Sequence, residues 1–341
     1  MHKTIGILAH VDAGKTTFSE QLLYHTNTIR HRGRVDHQDS FLDSHTIEKN
    51  RGITIFADQG IFTYNNSTYY IIDTPGHVDF SPEMERAIQV MDYAIIIISA
   101  VDGIEGHTET VWQLLRKHHV PTFFFINKTD YEGTDPTSVL AEIRSTLSEN
   151  VCDITTSFDE ELIEFLAERD EVLLETYMDS GFDKDLWTQT LQQMVKENKI
   201  FPCASGSALK DIGIVEFLEK LDSLTTTSYK SDDVFAAQVY KIRHDESGNR
   251  VTYLKLVNGT LKVRDSVTYN EQTEKITQIR QYSGNKFKTT DQAIAGELVA
   301  VTGLTNASIG DGLGVFAQKT EFDMIPTLKS KVLFDASVHV K

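Results

Sequence analysis

Ala9-His10-Val11-Asp12-Ala13-Gly14-Lys15-Thr16-Thr17 lies between an apolar run, Thr4–Ala9, and a stretch of helical period, Thr16–Thr26. It fits the phosphate-loop pattern G-x-x-x-x-G-K-[ST] except that Ala9 stands where the first glycine would be. Each element of that pattern has a physical task. Gly14 lets backbone N–H groups curl around phosphate oxygens, and the helix start adds partial positive charge. Lys15 would neutralise the β- and γ-phosphates, and the Thr16 hydroxyl would ligate Mg²⁺. A pattern with one mismatch arises by chance too easily to decide alone. Its strand–loop–helix setting is what makes His10 to Thr17 a candidate nucleotide cradle.

Outward from this loop, apolar strand runs alternate with helical stretches over the first ~225 residues, the pattern of a mainly parallel α/β sheet. Strands are expected at Thr4–Ala9, Tyr69–Asp73, Tyr93–Ala100, Thr122–Asn127 and Ile200–Ala204, with helices at Thr16–Thr26, Pro82–Met91, Thr108–His118 and Ile214–Leu224. Residues 136–198 read as a helical insertion, with Glu160–Tyr177 at helical spacing. A polar stretch, Thr225 to Asp233, makes a linker. Beyond it the period changes to two, and short runs separated by Gly, Asn and Asp turns predict a small antiparallel barrel. The expected organisation is a nucleotide-binding domain at 1–226, a barrel at 234–318, and the start of a further segment at 319–341, where Lys329–Lys341 reads as a strand.

Two more motifs follow strands and so fall at the carboxyl edge of the sheet, beside the phosphate loop. In Asp73-Thr74-Pro75-Gly76-His77, Asp73 would hold Mg²⁺ through water and the Gly76 N–H would report a γ-phosphate. D-T-P-G alone is good turn chemistry; behind a phosphate loop the functional reading prevails. In Asn127-Lys128-Thr129-Asp130, Asp130 can accept two parallel hydrogen bonds from guanine N1–H and N2–H₂, which adenine does not offer. Asn127 would tie the base edge to the phosphate loop, and the Lys128 stem would cover the ring face. A site built around such bonds rejects analogues lacking them by about 10⁴–10⁵. Three motifs in chain order, each after a strand, point to GTP.

The set resembles the translational GTPases, through Arg51-Gly52-Ile53-Thr54-Ile55 together with D-T-P-G-H. The resemblance implies that Thr54 ligates Mg²⁺ and senses the γ-phosphate, and that Gly206-Ser207-Ala208, continuing into Leu209, meets guanine O6 with backbone N–H groups. It implies that His77 positions the attacking water and that Val11 and Ile53 gate it. Asp12 is similar to a position that contacts phosphate and a monovalent cation. Ala9 is the variant seen in elongation factor G and its relatives, whose barrel is similar to the segment ending Ala295 to Leu304. Within the group, Glu48 to Ile55, Ile71 to His77 and Phe123 to Lys128 resemble the tetracycline-resistance ribosomal protection proteins, as does the modest insertion between Asp130 and Gly206. That family continues through three more domains, so this chain is expected to be its N-terminal part. The implied activity is Mg²⁺-dependent, ribosome-stimulated hydrolysis of GTP to GDP that drives tetracycline release, with Lys15, Thr54 and His77 catalytic. An elongation factor G-type translocation factor and a GTP-controlled ribosome-binding module remain alternatives.

Composition bounds the partners. Of 341 residues, 50 are acidic and 33 basic, a net charge of −17 that disfavours non-specific nucleic-acid binding and DNA. Any contact with ribosomal RNA must be local, and Arg30-His31-Arg32-Gly33-Arg34 is the compact basic cluster that could supply it, if it is more than a solvated loop. No apolar run reaches the ~18 residues of a membrane span. Two cysteines, Cys152 and Cys203, outside any C-x-x-C pattern, suit a reducing cytoplasm. The amino terminus has no signal-peptide organisation, and a monomer is expected.

Overall fold

The computed structural model describes residues 1–33, 41–42, 54, 57–316 and 319–324. They gather into two compact units: Met1–Phe80, Met91–Ser228 and Ser283–Lys286 in the first, and Ser81–Val90 with the remaining described residues from Tyr229 onward in the second.

The first unit is built on a seven-stranded sheet among the described residues. In chain order the strands are β1 (His2–Ala9), β2 (Asp58–Tyr64), β3 (Ser67–Asp73), β4 (Tyr93–Ser99), β5 (Thr122–Asn127), β6 (Val151–Asp153) and β7 (Phe201–Ser205), arranged β2-β3-β1-β4-β5-β7-β6. All pairings are parallel except β2 with β3, a hairpin that turns at Asn65-Asn66, with Asn65 at φ 48°. Strands β4 and β5 are buried along their whole length because Ile95 to Ile98 and Phe123 to Ile126 are apolar on both faces, as a helix-covered sheet requires. Phe217, on the helix Ile214–Leu224, packs its ring against Phe125 (5.3 Å between centroids), Phe18 (5.7 Å) and Phe123 (6.3 Å). This aromatic knot fastens two helices to the sheet directly beneath the phosphate loop.

The stretch 136–198 is not wholly helical. The helix Pro136–Thr146 is followed by β6, which extends the main sheet beside β7. The strand is only three residues long, too short to leave a period in the sequence. The run Glu160–Tyr177 is likewise two helices, Glu160–Ala167 and Glu171–Ser180. Asp170 breaks it by adopting extended backbone and accepting the Leu173 N–H at 3.0 Å. Asp159 and Asp183 cap the flanking helices in the same way. Trp187, fully buried on Lys184–Lys196, donates its indole N–H to the Ile163 carbonyl at 3.2 Å and closes this small layer.

In the second unit every strand pairing among the described residues is antiparallel. Its main sheet holds six strands, with Leu298–Thr302 and Arg250–Asn258 in the middle and Ala236–His244 beside the latter. Val239, Leu254, Leu256, Ile279, Val299 and Val301 form its core. Several strands of three to five residues, such as Thr260–Lys262 and Gln292–Ile294, complete the barrel-like unit; the sequence pattern had merged them with neighbouring turns. The helix Ser81–Ile88 belongs to this unit. Its buried Glu85 accepts the N–H groups of Asp323 (3.0 Å) and Met324 (2.8 Å). Lys329–Lys341, Arg34, Glu48 to Ile53 and Ile55 lie outside the described residues. No helix among the described residues is long and apolar enough to cross a membrane.

Removing the ring at the centre of the aromatic knot leaves a cavity that rigid strands cannot fill. Phe217→Ala should lower the stability of the first unit by about 3–5 kcal/mol. Urea unfolding followed through a probe in that unit would measure it, and a loss below about 1 kcal/mol would show that the knot is not what fastens these helices.

Candidate functional site

Strand β1 ends at Ala9 and the helix Lys15–His25 begins six residues later. The intervening turn needs two left-handed residues, Asp12 at φ 63° and Gly14 at φ 89°. At Gly14 the conformation and the space both exclude a side chain, since an added Cβ would lie 2.3 Å from Asn127 Nδ2. No side chain caps the helix, so its first N–H groups are left for an anion. Ala13, His10, Lys15 and Thr16 are buried, Thr17 is half-buried, and Val11 and Asp12 are exposed.

Behind the loop, the Lys15 ammonium lies 2.6 Å from Asp73 Oδ1 and 3.3 Å from Thr54 Oγ1, and all three residues are buried. Strand β3 delivers Asp73, and the next residue is pinned twice to the phosphate-loop strand: the Thr74 N–H and hydroxyl donate to the Ile7 carbonyl at 3.2 and 2.8 Å. Gly76 then passes so near the loop that a Cβ would meet Ala9 O at 3.1 Å. His77 is 44% exposed, beside Phe80, and accepts the Asp79 N–H at Nδ1 (3.3 Å). The same nitrogen lies 3.4 Å from Asp79 Oδ2.

Asn127, at the end of β5 and 3% exposed, joins the third motif to the first. Its Nδ2 donates to Ala13 O and its Oδ1 accepts the Ala208 N–H, both at 2.8 Å. Ala208 O in turn accepts Gln21 Nε2 at 2.6 Å. Lys128 adopts φ 66° and lies 3.6 Å from Asp102, whose carboxyl is held below the ordinary range by a hydrogen bond from Ser99 and by the Lys128 charge. Asp130 is exposed and its carboxylate bonds no other described residue, so its acceptors are available. Gly206 threads between β5 and the Ile212 carbonyl, which a Cβ would meet at 2.2 Å. Ser207 is buried with its N–H on Ile212 O, and Leu209 is 47% exposed.

The structure thus brings His10 to Thr17, Thr54, Asp73, Gly76, Asn127 and Ala208 together. Of the basic cluster, Arg32 is committed within the chain. Its guanidinium pairs with Asp211 at 2.7 Å and lies over the Tyr24 ring, and Asp211 also holds His25 at 2.6 Å. A contact to RNA phosphate from that cluster would have to start from Arg30 or His31 among the described residues, both exposed. Sequence reasoning did not single out Gln21, Asp102, Glu105, His107 or Asp211. Each is a lone polar residue on a helix or in a turn, with no spacing to announce it.

The oxygen donors Thr16, Thr54 and Asp73 suit a hard cation such as Mg²⁺, which keeps several waters and needs few protein ligands. The Lys15 ammonium bridging Asp73 and Thr54 shows that a positive charge is at home between them. Among the described residues no cluster of three or more His, Cys, Asp or Glu side chains could hold a metal by itself.

Asn127→Ala would remove the partner of both Ala13 O and the Ala208 N–H, which lie on buried residues. We expect a loss of about 1–3 kcal/mol in stability together with weaker nucleotide binding. Thermal melts with and without GDP measure both, and a variant with unchanged melting in either condition would mean that the loops hold themselves.

Comparison with known proteins matches this arrangement. Residues 1–227 match the elongation factor Tu GTP binding domain, and residues 234–316 match elongation factor G domain 2. The tetracycline resistance protein TetM from transposon Tn5251 of Streptococcus pneumoniae is 35% identical over 311 residues, covering 86% of this chain and 48% of the relative. TetP of Clostridium perfringens is 32% identical over 353 residues, covering 96% and 54%, and TetW of Butyrivibrio fibrisolvens is 33% identical over 345 residues, also covering 96% and 54%. The chain spans about half the length of these relatives. A crystal structure of a Thermus thermophilus protein shares the fold at TM-score 0.84 and 24% identity, over 96% of this chain and 56% of that one. With a phosphate loop, a guanine-type base motif and an elongation-factor barrel in one order, the chain belongs to the translational GTPases, the family of the elongation factor Tu GTP binding domain.

Proposed function

We propose that this chain is the GTP-hydrolysing part of a ribosomal protection protein, using Mg²⁺-dependent, ribosome-stimulated hydrolysis to drive tetracycline off the ribosome. The observation that carries the reading is Asn127, which joins the phosphate loop to the Ala208 turn as a guanine site requires. The similarity to TetM, TetP and TetW supports the drug-release role. The working compartment would be the cytoplasm, the partner the ribosome, and the active form a monomer.

In this reading GTP lies with its base against Asp130 and the Lys128 stem, its O6 toward the Leu209 N–H of the turn whose Ser207 and Ala208 N–H groups are engaged by Ile212 O and Asn127 Oδ1, and its phosphates in the loop from His10 to Thr17. Lys15 leaves Asp73 for the β- and γ-phosphates. Thr16, Thr54 and Asp73 would hold Mg²⁺, which when bound would neutralise charge on the phosphates. Gly76 donates its N–H to the γ-phosphate. His77 turns from Asp79 to orient the water, which attacks the γ-phosphorus as the bond to the β–γ bridging oxygen breaks, giving GDP and phosphate. By resemblance, Val11 would gate the approach of His77, and Asp12 would contact phosphate and a monovalent cation. No covalent intermediate forms, so positioning and electrostatics provide the acceleration.

Two measurements test this. Asp130→Asn presents an N–H where the carboxylate accepted, which suits the 2-oxo group of xanthine, so preference should pass from GTP to XTP; unchanged preference in a titration would remove Asp130 from the base site. His77→Ala should retain GTP affinity and lose about 10²–10⁴-fold in ribosome-stimulated hydrolysis. The same chain, in its complete gene product, should release labelled tetracycline from ribosomes with GTP, and the variant should not. Release by the variant at the parental rate would sink the coupling of hydrolysis to drug release.

A further inference from the structure

The turn from Ser207 to Lys210 has one backbone N–H left over. The Ser207 N–H donates to Ile212 O at 3.0 Å, the Ala208 N–H to Asn127 Oδ1 at 2.8 Å and the Lys210 N–H to Ser207 Oγ at 3.2 Å. The Leu209 N–H has no partner among the described residues, and Leu209 is half-exposed. The turn also lies along the guanine motif at two points, through Asn127 and through the Thr129 N–H, which donates to Gly206 O at 3.2 Å. The unpaired donor therefore follows directly on a stretch already laced to the loop that carries Asp130.

Gln21 controls the peptide that holds this donor. It is 3% exposed on the helix Lys15–His25, and its Nε2 donates to the Ala208 carbonyl at 2.6 Å. A carbonyl can only accept, which fixes the amide nitrogen rather than its oxygen toward Ala208. The Ala208 carbonyl and the Leu209 N–H belong to one planar trans peptide, in which the two bonds point in opposite directions. Holding the oxygen against the helix therefore aims the N–H away from it. His25, one turn further along the same face, holds Asp211 at 2.6 Å, so the helix grips the turn on both sides of Leu209. Gln21 Oε1 is buried without a partner among the described residues. Packing alone would be served at less cost by an apolar side chain, so the donating half of the amide is what the position uses.

We propose that Gln21 is a specificity-determining positioning residue: its grip on the Ala208 carbonyl orients the Leu209 N–H to donate to the 6-oxo group of a bound purine. The ligand class is a 6-oxopurine nucleotide. A 6-aminopurine would set its own N–H groups against that N–H and be refused. The proposal rests on the reading of Asp130 and the Ala208 turn as the base site, and Gln21 itself touches no nucleotide. Two edges of the base are read separately, N1–H and the 2-amino group by Asp130 and the 6-oxo group by the Leu209 N–H.

Nucleotide analogues separate the two edges. Calorimetric titration of the whole chain gives Kd for GDP, for 6-thio-GDP, whose sulfur is a weak acceptor, and for IDP, which lacks the 2-amino group and keeps the 6-oxo. The parent should bind 6-thio-GDP about tenfold more weakly than GDP. In Gln21→Met, GDP should weaken about tenfold, the penalty for sulfur should shrink to within about threefold, and the ratio of IDP to GDP should stay that of the parent. A sulfur penalty in the variant equal to the parent's, or no weakening of GDP, would overturn the proposal, because a merely structural bond weakens every nucleotide alike. Should the variant fail to fold, the parent labelled with ¹⁵N-leucine still decides. Its Leu209 amide proton, identified as the signal lost in Leu209→Ile, should move downfield on adding GDP, and an unmoved proton would overturn the proposal. A parent that binds IDP as tightly as GDP would overturn the reading of Asp130 instead, while the sulfur penalty still decides the role of Gln21.

Discussion

The amide of Asn127 is the constraint on which the site depends. Phosphate loop, β5 and the Ala208 turn are separated by more than a hundred residues of chain in one direction and about eighty in the other. Local bonds, such as Ser207 N–H to Ile212 O, shape the turn around Ala208 but do not tie it to the phosphate loop. A planar group with a donor on one side and an acceptor on the other satisfies both at once. It also explains the glycine beside it: the Asn127 amide occupies the space that a side chain at position 14 would need.

Around that joint the fold does ordinary work. The parallel strands β1, β3, β4, β5 and β7 end at one edge, so every motif that follows one of them arrives at the same crevice. The aromatic knot of Phe18, Phe123, Phe125 and Phe217 holds the floor rigid, and the double bond from Thr74 to Ile7 keeps the Asp73 strand in register with the loop strand. The helix after His77 is held differently, with its Glu85 engaged by the backbone at Asp323 and Met324 in the second unit.

Much of this was readable in the sequence because its strands are long and apolar on both faces. Thr122–Asn127 and Ile214–Leu224 have the same ends by pattern and by structure. What escaped did so for identifiable reasons. Strand β2 carries Asp58, Gln59 and Gly60 at its start, which dilutes alternation. Strand β6 has three residues, and the break at Asp170 is made by one capping side chain within an otherwise continuous helical period. Positions of the site that come from motifs were visible; those that come from single residues meeting in space, such as Gln21, Glu105 and Asp211, were not. Arg32 looked like a free cation because its partner is 179 residues away.

The Lys15–Asp73 contact has a consequence for how nucleotide enters. The ammonium already has a carboxylate at 2.6 Å, so the cradle is close to electrically neutral at its centre. On the proposed reading, arrival of the phosphates with their cation is an exchange of ionic partners, in which Lys15 gives up Asp73 for the phosphates and Asp73 gives up Lys15 for the cation. The gain from Lys15 is then the difference between two buried interactions, far smaller than either alone. Added salt, which weakens attractions between separated charges, should have correspondingly little hold on an equilibrium that swaps contacts inside a buried site. Selectivity in such a cradle falls to geometry, and a dianion of the wrong shape gains nothing from the lysine's charge.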